Sequence, residues 1–336
     1  MKKEKINIGL IGLGRIGKMH AKNIFQNLPF FNLKSIADPD PNTDFTQNLE
    51  DVVISDNIDN VLSDKKIEAV IVCSPTPTHY DIIKKCAAQK KHVFCEKPIS
   101  FSEDEIKELI TIKNKQNIFI QVGLNRRFDQ DFLVAKEKID SGTLGDIHTI
   151  HITNHDASIP RFKFLKSSGG MLFDLCIHDF DMLNFLTGQK VKEIYVNGGV
   201  FIDKRLQDID DIDNAIITLE LESGVLCSID SSRQTHYGYD QRIELFGSKG
   251  MVLVENKKDN LYSLSDSNQT KSSKIKNSFI ERYRDSYLNE LEHFYSSIIS
   301  NTTPSVGPEN ILSAIQVAEA AGLSLKTKRP QGVKYE

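Results

Sequence analysis

The sequence INIGLIGLGRIG at residues 6–17 decides how the first part of this chain folds. An apolar run leads into three glycines, Gly12, Gly14 and Gly17, and an amphipathic segment follows them. With this spacing, Gly12 permits a tight turn after a strand and Gly14 lets the backbone approach a pyrophosphate, while Gly17 allows a helix to pack closely on the sheet. The pattern therefore predicts a dinucleotide site at the start of that helix, where free N–H groups favour an anion.

An acidic residue, Asp38, ends the second apolar run at the distance that such a site requires. Its carboxylate would accept hydrogen bonds from the adenosine ribose hydroxyls and repel a 2′-phosphate. Residues 39–41 include no arginine that could neutralise such a phosphate, so the sequence favours NAD over NADP. The residues predicted to hold the cofactor at this end are Gly12, Gly14, Arg15, Ile16 and Asp38.

The composition is that of an ordinary soluble globular protein, with 39% hydrophobic and 26% charged residues among 336. This length is enough for two domains. The net charge of −4 provides no basic surface for nucleic acid or an anionic membrane, so neither is expected as a partner. The first apolar run is about six residues long, which is too short for a signal peptide or a membrane span.

The five cysteines are odd in number, scattered, and without a Cys-x-x-Cys pair. A disulfide framework and a structural zinc site are therefore not expected, and no metal site is predicted. A reducing cytoplasm is the simplest compartment for such a chain.

The first part of the chain alternates strand-like and helix-like segments up to residue 123. This alternation predicts right-handed crossovers and a doubly wound parallel sheet of the Rossmann type. The predicted strands are 6–11, 33–37, 69–73, 92–95 and 118–122. The predicted helices are 16–28, 57–62, 78–89 and 103–115.

The second part, residues 124–336, has consecutive strand-like segments joined by short turns such as 247–250. Short turns between neighbours predict an α+β domain with a large, open and mainly antiparallel sheet. The predicted strands are 147–152, 193–201, 214–220, 225–230, 242–246 and 251–254. The predicted helices are 128–141, 179–186, 285–299 and 308–325. Residues 263–278 are predicted to form an exposed loop or hairpin tip.

The tetrapeptide Cys95-Glu96-Lys97-Pro98 follows a predicted buried strand, at the sheet edge where open α/β sheets bind ligands. From that edge, Lys97 could reach both a substrate and a nicotinamide. The tertiary amide before Pro98 lowers the cost of a cis bond that would aim the lysine inward. Taken alone, the tetrapeptide is equally compatible with an exposed lysine before a loop proline.

The second chemical signal is the pair Asp174 and His178. If their segment is helical, residues four apart lie on one face, so the carboxylate would fix the imidazole tautomer and raise its basicity. The other imidazole nitrogen would then take a proton from a substrate hydroxyl. Such pairs are common by chance, but apolar neighbours on both sides predict a buried pair. Asp179 and Asp181 are interpreted as caps of the next helix.

Polar and aromatic groups that could line a sugar-sized pocket occur around Arg127, His155 and Tyr237. Polyols bind through many hydrogen bonds, which suits such groups, although interdomain and subunit contacts fit them equally well. The acidic run at residues 208–213 lacks the glycine and the terminal glutamate of a calcium loop. We therefore interpret that run as a solvated loop.

Several motifs occur in a fixed order along nearly the full chain. They are the glycine turn, Cys73-Ser74-Pro75-Thr76 leading to His79, Glu96-Lys97-Pro98, Asn125-Arg126-Arg127-Phe128-Asp129, Gly169-Gly170 with Asp174 and His178, and Tyr237-Gly238-Tyr239-Asp240. Together they resemble the Gfo/Idh/MocA oxidoreductases, and within that family the bacterial inositol 2-dehydrogenase group.

This resemblance implies an NAD-binding Rossmann domain at residues 1–123 and a substrate-binding and oligomerisation domain at 124–336, commonly in a homotetramer. Further cofactor contacts are implied for Ser74, Pro75, Thr76, His79, Glu96 and Lys97. Lys97 matches the lysine that contacts the reacting hydroxyl, His178 matches the base and Asp174 its partner. The positions where relatives contact substrate are Lys97, Arg127, His155, Asp174, His178 and Tyr237.

The leading hypothesis is NAD-dependent oxidation of a secondary hydroxyl of a cyclic polyol, converting myo-inositol to 2-keto-myo-inositol (scyllo-inosose) in inositol catabolism. Scyllo-inositol, another polyol or an aldose is the alternative, because the catalytic residues do not specify which ring is held. Two rivals belong to other classes: a glycoside-processing enzyme that uses tightly held NAD for transient oxidation, and a nucleotide-sensing or structural protein without turnover. A sensor would not need Lys97, Asp174 and His178 together.

Overall fold

The structure is a computed structural model that describes residues 5–41, 43–46, 49 and 51–335. Two compact units are present. The first comprises the chain up to Asn125 together with Tyr287–Leu312, and the second comprises Arg126–Ser286 and the residues from Ser313 onward. The chain thus contributes to the first unit twice, once at its start and once near its end.

The strands are numbered in chain order. They are β1 (Ile6–Ile11), β2 (Phe31–Ala37), β3 (Val53–Ser55), β4 (Ala69–Val72), β5 (His92–Glu96), β6 (Ile120–Gly123), β7 (Ile147–His155), β8 (Val191–Gly199), β9 (Asn214–Leu221), β10 (Leu226–Ser232), β11 (Asp240–Gly247), β12 (Gly250–Val254), β13 (Ser263–Ser265), β14 (Thr270–Ser272) and β15 (Gln331–Gly332).

The α-helices are numbered in the same way. They are α1 (Arg15–Asn27), α2 (Thr43–Thr46), α3 (Asp59–Leu62), α4 (His79–Ala88), α5 (Glu103–Gln116), α6 (Gln130–Asp140), α7 (Phe162–Leu165), α8 (Met171–Asp174), α9 (Ile177–Thr187), α10 (Phe279–Arg282), α11 (Arg284–Ser300) and α12 (Pro308–Thr327). Short 3₁₀ turns occupy Thr76–Thr78, Asn125–Phe128 and Lys204–Ile209. Among the described residues, no helix combines the length and the apolar character needed to cross a bilayer.

A six-stranded parallel sheet in the order β3-β2-β1-β4-β5-β6 forms the centre of the first unit. The predicted Rossmann sheet is therefore confirmed. In this topology, the strand order reverses between β1 and β4, and ligands bind beyond the carboxyl ends of the strands at that point. The glycine turn follows β1, and Ser74 lies just beyond the end of β4.

The core of the first unit includes helix α11, although the sequence predicted that residues 124–336 belong to a second domain. Leu291 and Phe294 on this helix are fully buried and belong to the same apolar cluster as Ile8 and Phe94 of the sheet. The ring centroids of Phe94 and Phe294 lie 6.1 Å apart. Burial of this helix face is the physical reason that residues 287–312 are part of the first unit.

The second unit contains a seven-stranded sheet in the order β12-β11-β7-β10-β9-β8-β15. Strands β7 and β10 run parallel, and the remaining neighbours run antiparallel. The predicted mainly antiparallel sheet is therefore confirmed. A small hairpin of β13 and β14, with exposed residues, lies where an exposed loop or hairpin tip was predicted.

One face of the second sheet carries a row of exposed apolar side chains. Phe246 pairs with Met251 on one side and with Thr149 on the other, and Thr149 pairs with Leu226. Paired residues of adjacent strands point to the same face, so these side chains form one row. Phe246, Met251 and Leu226 are 46%, 50% and 59% exposed in the single chain. Exposed apolar patches of this kind commonly mark interaction surfaces.

All five cysteines are free. Burial raises the pKa of the Cys86 thiol and of the Cys227 thiol to about 12. These two side chains therefore remain neutral thiols and pack as small apolar groups.

Replacing Phe294 with alanine tests the role of α11 in the core of the first unit. The variant Phe294→Ala is expected to lower the free energy of unfolding by about 3–5 kcal/mol, because it leaves a cavity in a closely packed core. The matched control is Ile299→Ala on the same helix, where the side chain is 48% exposed and the expected loss is below about 0.5 kcal/mol. Urea unfolding followed by far-UV circular dichroism provides the measurement, and equal losses in the two variants would contradict the assignment.

Candidate active site

The glycine turn after β1 has the close contacts that its sequence predicts. Gly12 has a φ of +95°, which side-chain-bearing residues rarely adopt, and a Cβ there would lie 2.5 Å from the backbone nitrogen of Ser74. A Cβ at Gly17 would lie 1.9 Å from the carbonyl oxygen of Gly12. At Gly14, no atom of the described residues comes within 4 Å of the Cβ position. The turn is thus tightly packed against the sheet and open at Gly14.

Asp38 lies against this turn. One oxygen of its carboxylate accepts a hydrogen bond from the Leu13 N–H at 2.5 Å, and the other accepts one from the Asp40 N–H at 2.9 Å. A carboxylate has about four acceptor sites, so both oxygens can still accept bonds from ribose hydroxyls. The structure therefore brings the predicted ribose-binding acid and the predicted pyrophosphate-binding turn together.

His79 connects two loops at the carboxyl edge of the first sheet. Its Nε2 lies 2.6 Å from the carbonyl oxygen of Ser74, and its Nδ1 lies 2.8 Å from the carbonyl oxygen of Pro98. Burial lowers the pKa of His79, while the two carbonyl oxygens act in the opposite direction. Because both ring nitrogens face protein carbonyls, His79 holds the segment beginning at Ser74 next to the segment containing Lys97.

Lys97 follows the last residue of β5 and is half-buried. The peptide bond between Lys97 and Pro98 is cis, as the sequence analysis considered from the low free-energy cost of a cis bond before proline. The preceding residue, Glu96, places one carboxylate oxygen 2.7 Å from Nε2 of the buried His20 on α1. The Lys97 segment is therefore anchored on one side through Pro98 and on the other through Glu96.

Asp174 and His178 lie on two successive helices rather than on one. Helix α8 ends at Asp174 and helix α9 begins at Ile177, so the single helix on which the pair would share one face is not formed. The Cys176 N–H bonds the carbonyl of Met171 and departs from the helical pattern. Both Asp174 and His178 are half-buried, whereas a buried pair was predicted.

A buried arginine that the sequence analysis did not identify anchors Asp174. Nη1 of Arg233 lies 3.1 Å from the Asp174 carboxylate, and its Nη2 lies 3.5 Å from the Asp211 carboxylate. Asp211 also accepts the Met171 N–H at 2.8 Å, at the first residue of α8. Both ends of the short helix α8 are thus held by the Arg233–Asp211 ion pair, the first residue through Asp211 and the last through Arg233.

The acidic run at residues 208–213 is therefore only partly the solvated loop that was predicted. Asp211 and Asp213 are buried. Asp213 accepts the N–H groups of residues 201, 202 and 203. Burial alone would raise the pKa of Asp213, but these donors outweigh it and lower the pKa below its usual value. The buried aspartates organise adjacent loops, while Asp208 and Asp210 are exposed.

Two further buried ion pairs hold helix α9. Arg126 donates to Asp179 at 2.6 Å, and Arg127 donates two hydrogen bonds to Asp181 at 2.8 and 2.6 Å. Asp179 also accepts a bond from Asn154 of β7 at 2.5 Å. The interpretation of the two aspartates as helix caps is therefore wrong, because both lie within α9 and neutralise buried arginines. The guanidinium of Arg127, a predicted substrate contact, is directed to Asp181.

His155 and Tyr237 come together in a separate polar cluster. Nδ1 of His155 lies 3.3 Å from the Tyr237 hydroxyl, which donates to Asp240 at 2.9 Å. Nε2 of His155 lies 3.1 Å from the Asp230 carboxylate. Successive strand residues point to opposite faces, so His155 faces away from the side on which Asn154 contacts α9. The two predicted substrate contacts therefore lie together on the other face of this sheet.

Comparison with known proteins agrees with this architecture. A family profile described as "Oxidoreductase family, NAD-binding Rossmann fold" matches residues 6–124, and another described as "GFO/IDH/MocA C-terminal domain" matches residues 132–253. The myo-inositol 2-dehydrogenase of Thermotoga maritima is 38% identical over 333 residues, which are 98% of this chain and 99% of that relative. The chain belongs to the Gfo/Idh/MocA family.

Other relatives show the same full-length likeness. The inositol 2-dehydrogenase of Rhizobium meliloti is 35% identical and covers 96% of this chain and 98% of its own length. A crystal structure of scyllo-inositol dehydrogenase from Lactobacillus casei, with bound NAD(H) and scyllo-inositol, has a TM-score of 0.91 at 26% identity. That match covers 98% of this chain and 99% of the other.

This Gfo/Idh/MocA oxidoreductase has an NAD-binding Rossmann domain, and its residues fit the cofactor. The position beside Gly14 is open, Asp38 lies at the turn, and no side chain caps the start of α1 at Gly14. The first N–H groups of a helix have no partners within the helix, and its dipole favours an anion. A pyrophosphate at this turn and a ribose at Asp38 would occupy complementary groups.

Replacing Asp38 tests the cofactor side of this Gfo/Idh/MocA protein. The unmodified protein is expected to bind NAD more tightly than NADP. Asp38→Ala should weaken NAD binding by roughly 10–100-fold, the usual value of hydrogen bonds to a charged group, and should weaken NADP binding much less. Titration calorimetry with both nucleotides measures the ratio, and Asp40→Ala at the exposed neighbouring position is the control. A clear NADP preference in the unmodified chain would show that Asp38 does not face the ribose.

Proposed function

We propose that this protein oxidises the 2-hydroxyl of myo-inositol to the ketone 2-keto-myo-inositol, with NAD as the oxidant. The observation that supports this reaction most strongly is the 38% identity to a myo-inositol 2-dehydrogenase over 98% of this chain and 99% of that relative. The reaction removes a hydride from the carbon and a proton from its hydroxyl. Bound NAD supplies the nicotinamide carbon that accepts the hydride.

In this proposal, His178 accepts the hydroxyl proton. A neutral imidazole is a suitable general base near neutral pH, and removal of such a base typically costs about 10²–10⁴ in rate. As the proton leaves, the carbon–oxygen bond becomes a carbonyl and the hydride departs from the same carbon. His178 therefore becomes an imidazolium, and that positive charge needs a nearby anion.

Asp174 is the proposed anion. It lies four residues before His178, at the break between α8 and α9, and Arg233 holds its carboxylate at 3.1 Å. An anchored carboxylate does not have to reorganise as the imidazolium forms, which is the advantage of a preorganised charge. Asp174 is the last residue of α8 and His178 lies on α9, so the anchored aspartate and the histidine are on different helices.

Lys97 is proposed to act on the substrate oxygen. Negative charge develops there as the proton moves to His178, and an ammonium group nearby would stabilise it. The two anchors of the Lys97 segment, at Pro98 and Glu96, support a fixed position. Lys97 would also contact the cofactor, as would the loop at Ser74, Pro75 and Thr76.

The remaining predicted substrate contacts receive different roles in our proposal. Arg127 holds α9 through Asp181. His155 and Tyr237 lie on the outer face of the second sheet, together with the exposed apolar row. We propose that this face forms contacts between subunits of a homotetramer, because exposed Phe246 and Met251 would be covered there. A cytoplasmic enzyme of inositol catabolism is consistent with the proposed reaction.

Scyllo-inositol is the second candidate substrate. The observation that favours it is the likeness to the scyllo-inositol dehydrogenase of Lactobacillus casei, with a TM-score of 0.91. The two inositols differ in the orientation of one ring hydroxyl. A few changes in the side chains that hydrogen-bond the ring hydroxyls would therefore suffice to change which inositol binds more tightly. The donors and acceptors that face that one hydroxyl decide between the two candidates.

A panel of polyols and sugars tests the substrate. With NAD, the value of kcat/KM for myo-inositol is expected to exceed those for scyllo-inositol and glucose by about tenfold or more, since one misplaced hydroxyl leaves a polar group unpaired. NADH absorbance provides the measurement. A higher value for scyllo-inositol would select the second candidate, and NAD retained through purification without net NADH would indicate transient oxidation in glycoside processing.

Replacing His178 tests the general base. His178→Ala should lower kcat for myo-inositol oxidation by about 10²–10⁴-fold, with NAD binding little changed, because the variant lacks the proton acceptor. Glu137→Ala is the control, since Glu137 is an exposed residue of helix α6 in the second unit, and neither the reaction nor the proposed subunit contact uses it. Near-normal turnover by His178→Ala would refute the role assigned to His178.

A further inference from the structure

A buried acid–base cluster lies behind the Lys97 segment in the first unit. It consists of His20 on α1, Glu96 at the end of β5 and Glu290 on α11, and one side-chain ligand atom of each lies within 4.8 Å of the others. His20 and Glu290 are fully buried, while the Glu96 side chain is 13% exposed. None of the roles assigned to the reaction uses Glu290.

No N–H or O–H group of the described residues donates a hydrogen bond to either oxygen of the Glu290 carboxyl group. Gln121 donates instead to the Glu290 backbone carbonyl, at 2.7 Å. An ionised carboxylate without partners is costly to bury, so such a group usually keeps its proton. Glu290 therefore has the environment of a neutral acid.

The described groups that act on the Glu290 carboxyl group favour its neutral form. Burial raises the pKa of Glu290 well above its usual value, and the carboxylate of Glu96 raises it further. Of the nearby thiols, Cys95 is buried and Cys73 is half-buried, and desolvation raises the pKa of each, so both are neutral. His20 directs its Nε2 to Glu96 at 2.7 Å.

We propose that Glu290 is a neutral carboxylic acid whose O–H donates to the Glu96 carboxylate and, together with His20, positions Glu96 and the adjoining Lys97. The proposal rests on the proposed function only in the role given to Lys97. A neutral acid is a hydrogen-bond donor, and bonds from a donor to a charged carboxylate are among the stronger ones in proteins. Glu290 and His20 are therefore positioning residues.

The space around Glu96 explains why two donors would fix its carboxylate. One oxygen faces His20 at 2.7 Å, and the other lies 3.1 Å from the position that a Cβ would occupy at Gly123. The carboxylate thus fits between α1 and the end of β6. Because Lys97 is the next residue in the chain, a shift of Glu96 would move the start of the Lys97 segment.

A divalent metal ion is the competing occupant of this cluster, because an imidazole and two carboxylates are metal ligands. The direct 2.7 Å contact between His20 and Glu96 favours the protonated cluster. A metal ion would instead separate these two ligand atoms and bind an ionised Glu290. The protonated cluster and the metal site predict opposite effects of the substitution Glu290→Gln.

The first test measures whether the acid is neutral in the folded protein. Folded Glu290 keeps its proton above the unfolded glutamate pKa of about 4.3, so its stabilising contribution is complete below that pH and is lost as the pH rises towards the folded pKa. Glu290→Gln has no such titration. The folding equilibrium constant of the variant relative to the wild type should therefore rise about tenfold per pH unit in that window. Urea unfolding at pH 5.5 and pH 7.5 measures this ratio.

A ratio that does not change between the two pH values would overturn the neutral-acid assignment. This test requires no catalytic activity, so it is independent of the proposed substrate. Metal analysis of the purified protein forms a second arm. One equivalent of a divalent metal in the wild type that is lost in Glu290→Gln would overturn the proposal in favour of a metal site.

The second test compares Glu290→Gln with Glu290→Met, in which an apolar chain of similar length replaces the donor. The glutamine variant keeps an N–H donor and should retain kcat within about threefold of the wild type. The methionine variant should lose about tenfold or more in kcat, with KM for NAD changed by less than about threefold, because it removes a bond to a charged group near Lys97. Equal kcat in both variants, or a loss confined to KM, would overturn the positioning role.

Failure of the positioning role is distinguishable from failure of the proposed function. If the wild type oxidises no inositol, the kinetic comparison is made with whichever polyol of the panel yields NADH. If no polyol yields NADH, the proposed function fails, and the pH dependence of unfolding still decides the state of Glu290.

Discussion

The contact between Gly17 and the carbonyl of Gly12 determines how closely helix α1 approaches the first sheet. A side chain at residue 17 would force the two apart, since its Cβ would lie 1.9 Å from that oxygen. The close approach has two consequences on one helix. The start of α1 is available to a pyrophosphate, and His20, three residues after Gly17, reaches Glu96. The same helix therefore supports the cofactor turn and the lysine segment.

Charge pairing organises the second unit in a comparable way. Arg126, Arg127 and Arg233 are buried, and each is matched to an aspartate on or beside the helices α8 and α9. Buried ion pairs contribute little net stability, because desolvation of the charges offsets their attraction. These ion pairs act here by fixing positions, since a planar guanidinium group can bond a carboxylate in only a few orientations. Two of the pairs tie the α9 segment to the turn at residues 125–128, and Arg233 anchors the end of α8.

Part of this structure could be predicted from the sequence, because it depends on constraints between residues that are close along the chain. The glycine turn, the parallel order of the first sheet and the position of Asp38 follow from sterics and spacing over fewer than about 40 residues, as in a single βαβ unit. The cis peptide before Pro98 is another local property. Strand β3 escaped prediction because it is three residues long and Val53 is 60% exposed, so it lacks an apolar pattern.

Distant partners explain what the sequence did not reveal. Arg127 and Asp181 are 54 positions apart, and Arg233 and Asp174 are 59 apart, so no spacing rule connects them. The break after Asp174 could not be foreseen, because residues four apart share one face only if a single helix continues through them. The roles proposed for Lys97, Asp174 and His178 came from residue chemistry and a set of ordered motifs. The structure adds an anchor for Asp174, at Arg233, and anchors on both sides of Lys97.

The return of residues 287–312 to the first unit also affects synthesis of the protein. A ribosome completes all six strands of the first sheet by residue 123, long before Leu291 and Phe294 exist to cover it. The nascent sheet must therefore wait with part of its apolar surface uncovered while more than half of the chain is made. The nucleotide-binding unit therefore cannot finish folding before residues 287–312 are made, even though all six strands of its sheet precede residue 124.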